Sequence, residues 1–116
     1  MGTMFHFYGV PSDKKETYNA LLKSHIADYE LQDWLEENTD KKEVRFSLSY
    51  SSASSLTTWL IENSKNSYSP DEDIFFEIDK TDTAKEEFFN LYWMRERWIN
   101  PYDVWHDDTF LIIQKY

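Results

Sequence analysis

The sequence predicts one small layered domain of the α/β or α+β class, with about four strands and three helices packed on a sheet. The chain has 116 residues, which suits one ordinary domain, so we expect 1–116 to form a single globular unit. Hydrophobic residues make up 41% and aromatic residues 18%, which is enough for a core and argues against disorder. The apolar pattern switches between alternation and helical spacing, and this predicts the order β-α-β-α-β-α-β.

The N-terminal third is predicted to hold one strand and one long helix. Residues 4–8 form a mostly apolar run that is typical of a short buried strand. Asp13 and Glu16 have the spacing of a capping box at the start of a helix. Apolar residues then recur at helical spacing, and their phase shifts once. We therefore expect a helix over about 14–38 with a kink or break near 27–29.

The middle of the chain is predicted to be strand, short helix and polar loop. Residues 44–50 alternate between apolar and polar side chains, which indicates a strand with one face in water. The serine-rich segment 51–55 can cap a short helix that fades near Ser64. Residues 63–73 are mostly polar, and we expect a loop there.

The C-terminal third is predicted to hold two strands with a helix between them. Residues 74–78 alternate in the manner of a strand. Thr83 and Glu86 form a second capping box, which opens a helix ending near Asn100. Residues 110–113 are apolar on both faces, so this last strand is expected at the centre of the sheet.

Net charge and composition restrict the classes of function. The formal net charge is −10, so the chain repels phosphate backbones and attracts basic proteins. There is no cysteine, which excludes disulfides, thiolate zinc sites and a cysteine nucleophile. With two glycines in the chain, phosphate-cradling loop motifs do not occur. We therefore expect neither direct nucleic-acid binding nor a bound cofactor.

No set of residues has the spacing of a catalytic or metal site. The histidines His6, His25 and His106 do not form a helical i, i+4 metal pair. His6 is expected to be packed in a strand, and His106 with the two aspartates after it is interpreted as a solvated turn. Glu77, between two apolar neighbours, comes nearest to an acid–base group, but its side chain should point away from them. We expect a protein that is not an enzyme and that carries no metal.

Two groups of carboxylates are candidates for contact with a partner. The first recurs at three- and four-residue steps and would line one helix face if the first helix continues to its end. It consists of Glu30, Asp33, Glu37 and Asp40. The second would share one face of the third strand and its flanks, with an aromatic ring among the acids. It consists of Asp73, Phe75, Glu77 and Asp79. Solubility and protection of an edge strand are the alternative explanations.

The segment 92–105 concentrates aromatic and arginine side chains. The surrounding acids make it a poor platform for stacking on nucleic acid, which requires a positive groove. Trp, Tyr and Arg dominate protein-interface hot spots, so we expect Trp98, Tyr102 and Trp105 to contact a protein partner. The alternative is a second small core beneath the loop 100–108.

Three functions fit these patterns. The first is a non-catalytic acidic inhibitor, such as an immunity protein or antitoxin that neutralises a basic nuclease toxin. The second is a nucleic-acid mimic from a phage or mobile element that blocks a restriction or CRISPR-type effector. The third is a small subunit or ligand-binding module whose acidity gives solubility alone.

The chain is expected to be cytoplasmic. Its apolar run at 110–113 is far shorter than the roughly 20 residues that span a bilayer, so no membrane partner is expected. The N-terminus lacks the basic and apolar regions of a secretory signal. Residues 1–3 have the form of an added leader, with Met4 as the native start.

Overall fold

The computed structural model describes residues 3–39, 44–78 and 108–116, which form an α+β domain. Every described strand pair is antiparallel, and this decides between the α/β and α+β alternatives. In chain order the elements are strand β1 (Thr3–Pro11), a 3₁₀ turn (Ser12–Lys14), helices α1 (Lys15–Lys23) and α2 (Asp28–Asn38), strand β2 (Val44–Leu48), helix α3 (Tyr50–Asn63), and strands β3 (Ser64–Tyr68), β4 (Ile74–Ile78) and β5 (Thr109–Lys115).

The described strands form one sheet in the order β2-β1-β5-β4-β3. The last strand, β5, lies at the centre, as its two apolar faces predict. It pairs with β1 from Phe5↔Lys115 to Pro11↔Thr109, and with β4 on its other side. Pairing with β5 therefore extends β1 to Pro11, beyond the predicted strand 4–8.

Helices cover both faces of the sheet. Because side chains alternate along a strand, successive residues of the central strands enter different cores. Helix α3 covers one core, which contains Phe5, Phe7, Ala53, Leu56, Trp59, Leu60, Phe76, Ile78, Leu111 and Ile113. Helices α1 and α2 cover the other, which contains Tyr8, Val10, Tyr18, Leu31, Leu35, Phe75, Phe110 and Ile112.

The predicted helix 14–38 is two helices, and the break has a structural cause. Helix α1 closes with a Schellman motif, in which the Ile26 N–H donates to Leu21 O and the His25 N–H donates to Leu22 O. His25 takes the left-handed position of this motif, with φ of 59°. The break therefore lies at 24–27, slightly before the predicted 27–29.

The capping box predicted at Asp13 and Glu16 is wrong. Asp13 lies within the 3₁₀ turn, and Lys14 precedes helix α1 without a side-chain capping hydrogen bond. The chain leaves β1 directly into this turn, where Ser12 N–H donates to Asp108 O. The turn before the helix is therefore held by this backbone hydrogen bond, and no side-chain cap opens the helix.

The polar loop predicted over 63–73 is wrong in its first half. Residues Ser64–Tyr68 form the edge strand β3, which pairs with β4 across a register irregularity between Ser64 and Asn66. Three of its five residues are exposed, so no buried apolar alternation marked it in the sequence. The strand predicted over 44–50 ends at Leu48, because Tyr50 begins α3.

The helix predicted from Thr83 and Glu86 to Asn100 lies outside the described residues. The three described helices therefore do not correspond one to one with the three predicted. The strands predicted at 4–8, 44–50, 74–78 and 110–113 are all confirmed in kind.

Replacing His25 by glycine is expected to stabilise the protein. The left-handed backbone of a non-glycine residue costs on the order of 1 kcal/mol, and glycine is the usual residue at this position of the motif. His25→Gly should raise the free energy of unfolding by about 1 kcal/mol in urea denaturation. The matched control Ala20→Gly, at an exposed site inside α1, should lower it by about 1 kcal/mol. A loss of stability in His25→Gly would contradict the role assigned to this residue.

Candidate partner-binding face

The charged residues of helix α2 are all acidic. It contains five carboxylates and no Lys, Arg or His. Glu30, Asp33 and Glu37 share one helix face, as their spacing predicts, and all three are exposed on the side opposite the buried Leu31 and Leu35. The other two carboxylates are Asp28, which is half-buried, and Glu36, which is exposed.

The acid on α2 is not placed for helix stability alone. Asp28 and Glu30 lie in the first turn, where the helix dipole favours negative charge. Glu36 and Glu37 lie near the other end, where the dipole disfavours it, and no basic residue occupies the last turn. Each such charge typically costs a few tenths of a kcal/mol. The carboxylates therefore extend over the whole exposed side of the helix, including positions that oppose folding.

The second acidic element is the turn between β3 and β4. Asp71 and Glu72 are exposed, and Asp73 is half-buried at the start of β4. Residues 69–73 contain no basic side chain. We use the name acidic face for the five carboxylates of α2 together with these three of the turn.

A buried amide joins the two parts of the acidic face. Gln114 of the central strand β5 is fully buried. Its Nε2 donates to Gln32 Oε1 on α2 at 3.0 Å and to Asp73 Oδ2 at 2.8 Å. One side chain of β5 thus contacts both acidic elements, which are separate segments of the chain.

The pKa of Asp73 reflects its burial and the carboxylates near it. Desolvation by burial raises the pKa of its carboxyl above 3.8, and the negative charges of Asp28 and Asp71 raise it further. The hydrogen bond from Gln114 opposes both effects. Asp73 therefore lies beside carboxylates of both acidic elements.

Beneath the acidic face, successive hydrogen bonds donate in one direction, from the sheet outward to Asp73. Ionised Asp73 only accepts, so Nε2 of Gln114 faces it and Oε1 faces Tyr8. The Tyr8 hydroxyl donates its single proton to that Oε1 at 2.6 Å. Its oxygen must then accept from Nδ1 of His6, which lies 2.6 Å away. This assigns the Nδ1–H form to His6, which is buried as predicted.

The expectation that Phe75 and Glu77 belong to an exposed row is corrected. They do share a strand face with Asp73, but this face lies under helices α1 and α2. Phe75 is fully buried in that core, and Glu77 is 3% exposed. β4 is also not an edge strand, because β3 pairs with it. Protection of an edge therefore does not explain these residues.

Glu77 has a structural partner in Lys15. Its carboxylate forms an ion pair with the Lys15 ammonium and accepts a hydrogen bond from Asn66 Nδ2 at 3.0 Å. The ammonium also lies 4.7 Å from the centre of the Phe110 ring. Strand β4 and the first turn of α1 are thereby linked across the buried face of the sheet.

Tyr18 lies beside this ion pair. Its side chain is fully buried, and its hydroxyl has no hydrogen-bond partner among the residues that the structure describes. Burial raises the pKa of Tyr18, and the Glu77 carboxylate raises it further, so the phenol stays protonated. The Tyr18 ring packs near Trp34 and Phe110.

The remaining predicted contact residues lie outside the described residues. They are Asp40, Asp79, Trp98, Tyr102 and Trp105. Of the five tryptophans, Trp59 is buried and Trp34 is half-buried, each against a core. Within the described part of the chain, these two rings support packing rather than an exposed aromatic surface.

Sequence reasoning missed two residues of this face. Tyr29 is 65% exposed on α2, next to Asp28 and Glu30, and it is the exposed aromatic within the acidic surface. Gln114 was also missed, although a polar residue directly after an apolar run in a central strand is a readable signal. Its two partners depend on tertiary structure and have no sequence signal.

Comparison with protein-family models, with curated proteins and with solved structures finds no match to this chain. Among the described residues, no helix has both the length and the apolar character needed to cross a membrane. Within residues 3–39, 44–78 and 108–116, no group of three or more His, Asp or Glu side chains is placed to hold a metal ion.

Neutralising Asp73 is expected to stabilise the protein in a pH-dependent way. Its pKa is raised in the folded state, so the ionised carboxyl opposes folding above that pKa, and the penalty disappears below 3.8. Asp73→Asn should therefore raise the melting temperature at pH 7, and the gain should vanish as the pH falls through the pKa of Asp73. Asp13→Asn, at an exposed site in the 3₁₀ turn, is the control. A gain that persists unchanged at pH 3 would contradict the assignment.

The Lys15–Glu77 pair predicts unequal effects of removing either partner. Lys15→Met leaves the carboxylate of Glu77 buried without its cation and should cost about 3 kcal/mol in urea unfolding. Glu77→Leu should cost less, because the Lys15 side chain is 28% exposed and can turn its ammonium towards water. The double variant should be more stable than Lys15→Met alone. Equal losses in the two single variants would show that the ion pair is not desolvated.

Proposed function

We propose that this protein is a non-catalytic acidic inhibitor that binds and neutralises a basic enzyme, as an immunity protein or antitoxin does with a nuclease toxin. The observation that carries the proposal is the acidic face, in which α2 and the β3–β4 turn hold eight carboxylates without a basic residue in either segment. The partner is a protein with a positive surface, and the site of action is the cytoplasm. Nucleic acid and anionic membranes are excluded as direct partners by charge repulsion.

The mechanism follows from charge and from the exposed ring. A net charge of −10 attracts a basic enzyme over a distance of about a Debye length and raises the association rate. After the encounter, carboxylates of α2 pair with basic groups on the enzyme surface. Tyr29 then supplies an aromatic contact at low entropic cost, the usual role of tyrosine in interface hot spots. Bound in this way, the protein blocks the enzyme's nucleic-acid channel.

Among the residues that the structure describes, the length of the α2 part of the acidic face favours an inhibitor over a nucleic-acid mimic. Helix α2 has 11 residues and is about 16 Å long. Phosphates along one DNA strand are spaced about 3.4 Å apart along the axis, so α2 covers roughly five of them. A mimic from a mobile element needs a longer array on one side, whereas an immunity protein needs a local patch. The mimic is therefore the second candidate.

The buried titratable groups support a role without catalysis. Glu77 was the nearest sequence candidate for acid–base chemistry, and it is paired with Lys15 and Asn66 in the core. Access for a substrate to a carboxylate that is 3% exposed would require the helix layer to move. The third candidate, a subunit whose acidity gives only solubility, differs from the inhibitor in requiring no charge-dependent partner.

Affinity purification from the native host tests the proposal. Immobilised protein at low salt should retain a basic nucleic-acid enzyme, and stoichiometric addition of the protein should inhibit that enzyme in a nuclease assay. Retention should weaken as salt rises, because association is steered by charge. A captured enzyme that belongs to a restriction or CRISPR-type system would favour the mimic. If no basic protein is retained at low salt, both inhibitor candidates fail.

Neutralising the acidic face should slow association. The triple variant Glu30→Gln, Asp33→Asn and Glu37→Gln removes three exposed carboxylates from one side of α2. We expect the association rate with the captured enzyme to fall about tenfold at low salt, with little change in the dissociation rate.

A matched control separates local from overall charge. The triple variant Asp13→Asn, Glu16→Gln and Glu62→Gln removes the same charge from exposed sites outside the acidic face. It should slow association by much less, as measured by surface plasmon resonance across a salt series. Equal slowing in both triple variants would mean that net charge, and not the acidic face, drives binding.

A further inference from the structure

The side-chain amide of Gln114 makes three hydrogen bonds. Oε1 accepts from the Tyr8 hydroxyl, and the two N–H groups of Nε2 donate to Gln32 and Asp73. The side chain is fully buried, so each lost contact would leave a desolvated polar group. The amide cannot be reversed, because an oxygen facing the Asp73 carboxylate would replace attraction by repulsion.

Two other kinds of contact hold α2 on the sheet: apolar packing beneath the helix, and a hydrogen bond from the Tyr68 hydroxyl, at the end of β3, to Ile26 O just before α2. Leu31 and Leu35 pack in the core beneath α2, and apolar packing of this kind is non-directional. The hydrogen bonds of Gln114 are directional and join the middle of α2 to Asp73, the residue directly before β4. β5 itself is paired with β1 on one side and β4 on the other, so Gln114 projects from the central strand of the sheet.

We infer that Gln114 is a positioning residue that joins helix α2 and the β3–β4 turn into one acidic face of fixed geometry. The effect on partner binding rests on the proposed function. The joining of the two elements by Gln114 does not. The partner recognises carboxylates from two elements at once, so their relative placement determines how many positive groups it can match. Gln114 touches no partner and acts through Gln32 and Asp73.

The two acidic elements repel each other, which is why a joining group is needed. Asp73 lies close enough to Asp28 of α2 and Asp71 of the turn for their charges to raise its pKa. Left alone, these carboxylates would separate or take up protons. The amide offers donors to the carboxylate of one element and the side-chain carbonyl of the other, and so offsets part of the repulsion. A buried apolar residue at this position would supply neither donor.

Two variants of similar size test the inference. Gln114→Met removes all three hydrogen bonds, and Gln114→Glu keeps the shape but replaces the donors with acceptors. The control is Ile113→Val, a buried change on the next residue of β5 that faces the α3 core. The first measurement is NMR titration of the Asp73 carboxyl. Because the Gln114 hydrogen bond lowers the pKa of Asp73, both Gln114 variants should raise it, Glu more than Met, and Ile113→Val should leave it unchanged.

The second measurement is affinity for the enzyme captured by the parent protein. Gln114→Met should bind about tenfold more weakly at the same net charge, whereas Ile113→Val should bind like the parent. Circular dichroism at the assay temperature checks that each variant is folded. If Gln114→Met does not fold, Gln114→Asn, which is one methylene shorter and cannot reach both partners, takes its place with the same expected results.

The outcomes separate the inference from the proposed function. An unchanged Asp73 pKa in the Gln114 variants overturns the joining role. A raised pKa with unchanged affinity for the enzyme overturns the role in binding. If the pKa of Asp73 is raised in the Gln114 variants but the parent protein captures no basic enzyme, the joining role is supported and the proposed function fails.

Discussion

The structure depends on one constraint, the burial of both faces of strand β5. Its residues alternate between two cores, with Leu111 and Ile113 against α3 and Phe110 and Ile112 against α1 and α2. A strand with this pattern needs a neighbour on each side and a helix layer on each face. β1 and β4 supply the neighbours, and all three described helices supply the layers. The sheet order, the layering and the place of α2 follow from this requirement.

The polar residues buried on the α1 and α2 face form two separate groups, which connect the helices to the sheet. Lys15 and Glu77 link α1 to β4, and the hydrogen bonds from His6 through Gln114 link the centre of the sheet to α2. Buried polar groups contribute little net stability, but they are costly to leave unpaired and so select one arrangement. The apolar core holds the helices against the sheet, and these polar groups determine how the helices sit. The geometry of the acidic face depends on the second group, the hydrogen bonds that lead from His6 through Gln114 to α2.

The acidic face opposes folding, and under the proposed function it serves binding. Like charges recur along α2, reach the end that its dipole disfavours, and meet further carboxylates from the β3–β4 turn. A surface that only kept the protein in solution would be equally well served by charges spread away from one another. Concentration on one side is what a basic partner would recognise. The stability lost in this way is small compared with the free energy gained by burying two cores.

Local periodicity and charge in the sequence were enough to predict β1, β2, β4 and β5, the central place of β5, the acidity, and the shared helix face of Glu30, Asp33 and Glu37. The sequence could not determine that β3 is a strand, since an edge strand with exposed side chains has no apolar period. Nor could it show that Phe75 and Glu77 face a core, because alternation defines a shared face but not what covers it. Tertiary structure alone decided that Gln114 joins Gln32 to Asp73, since hydrogen bonds between distant segments form only once β5 has placed them side by side.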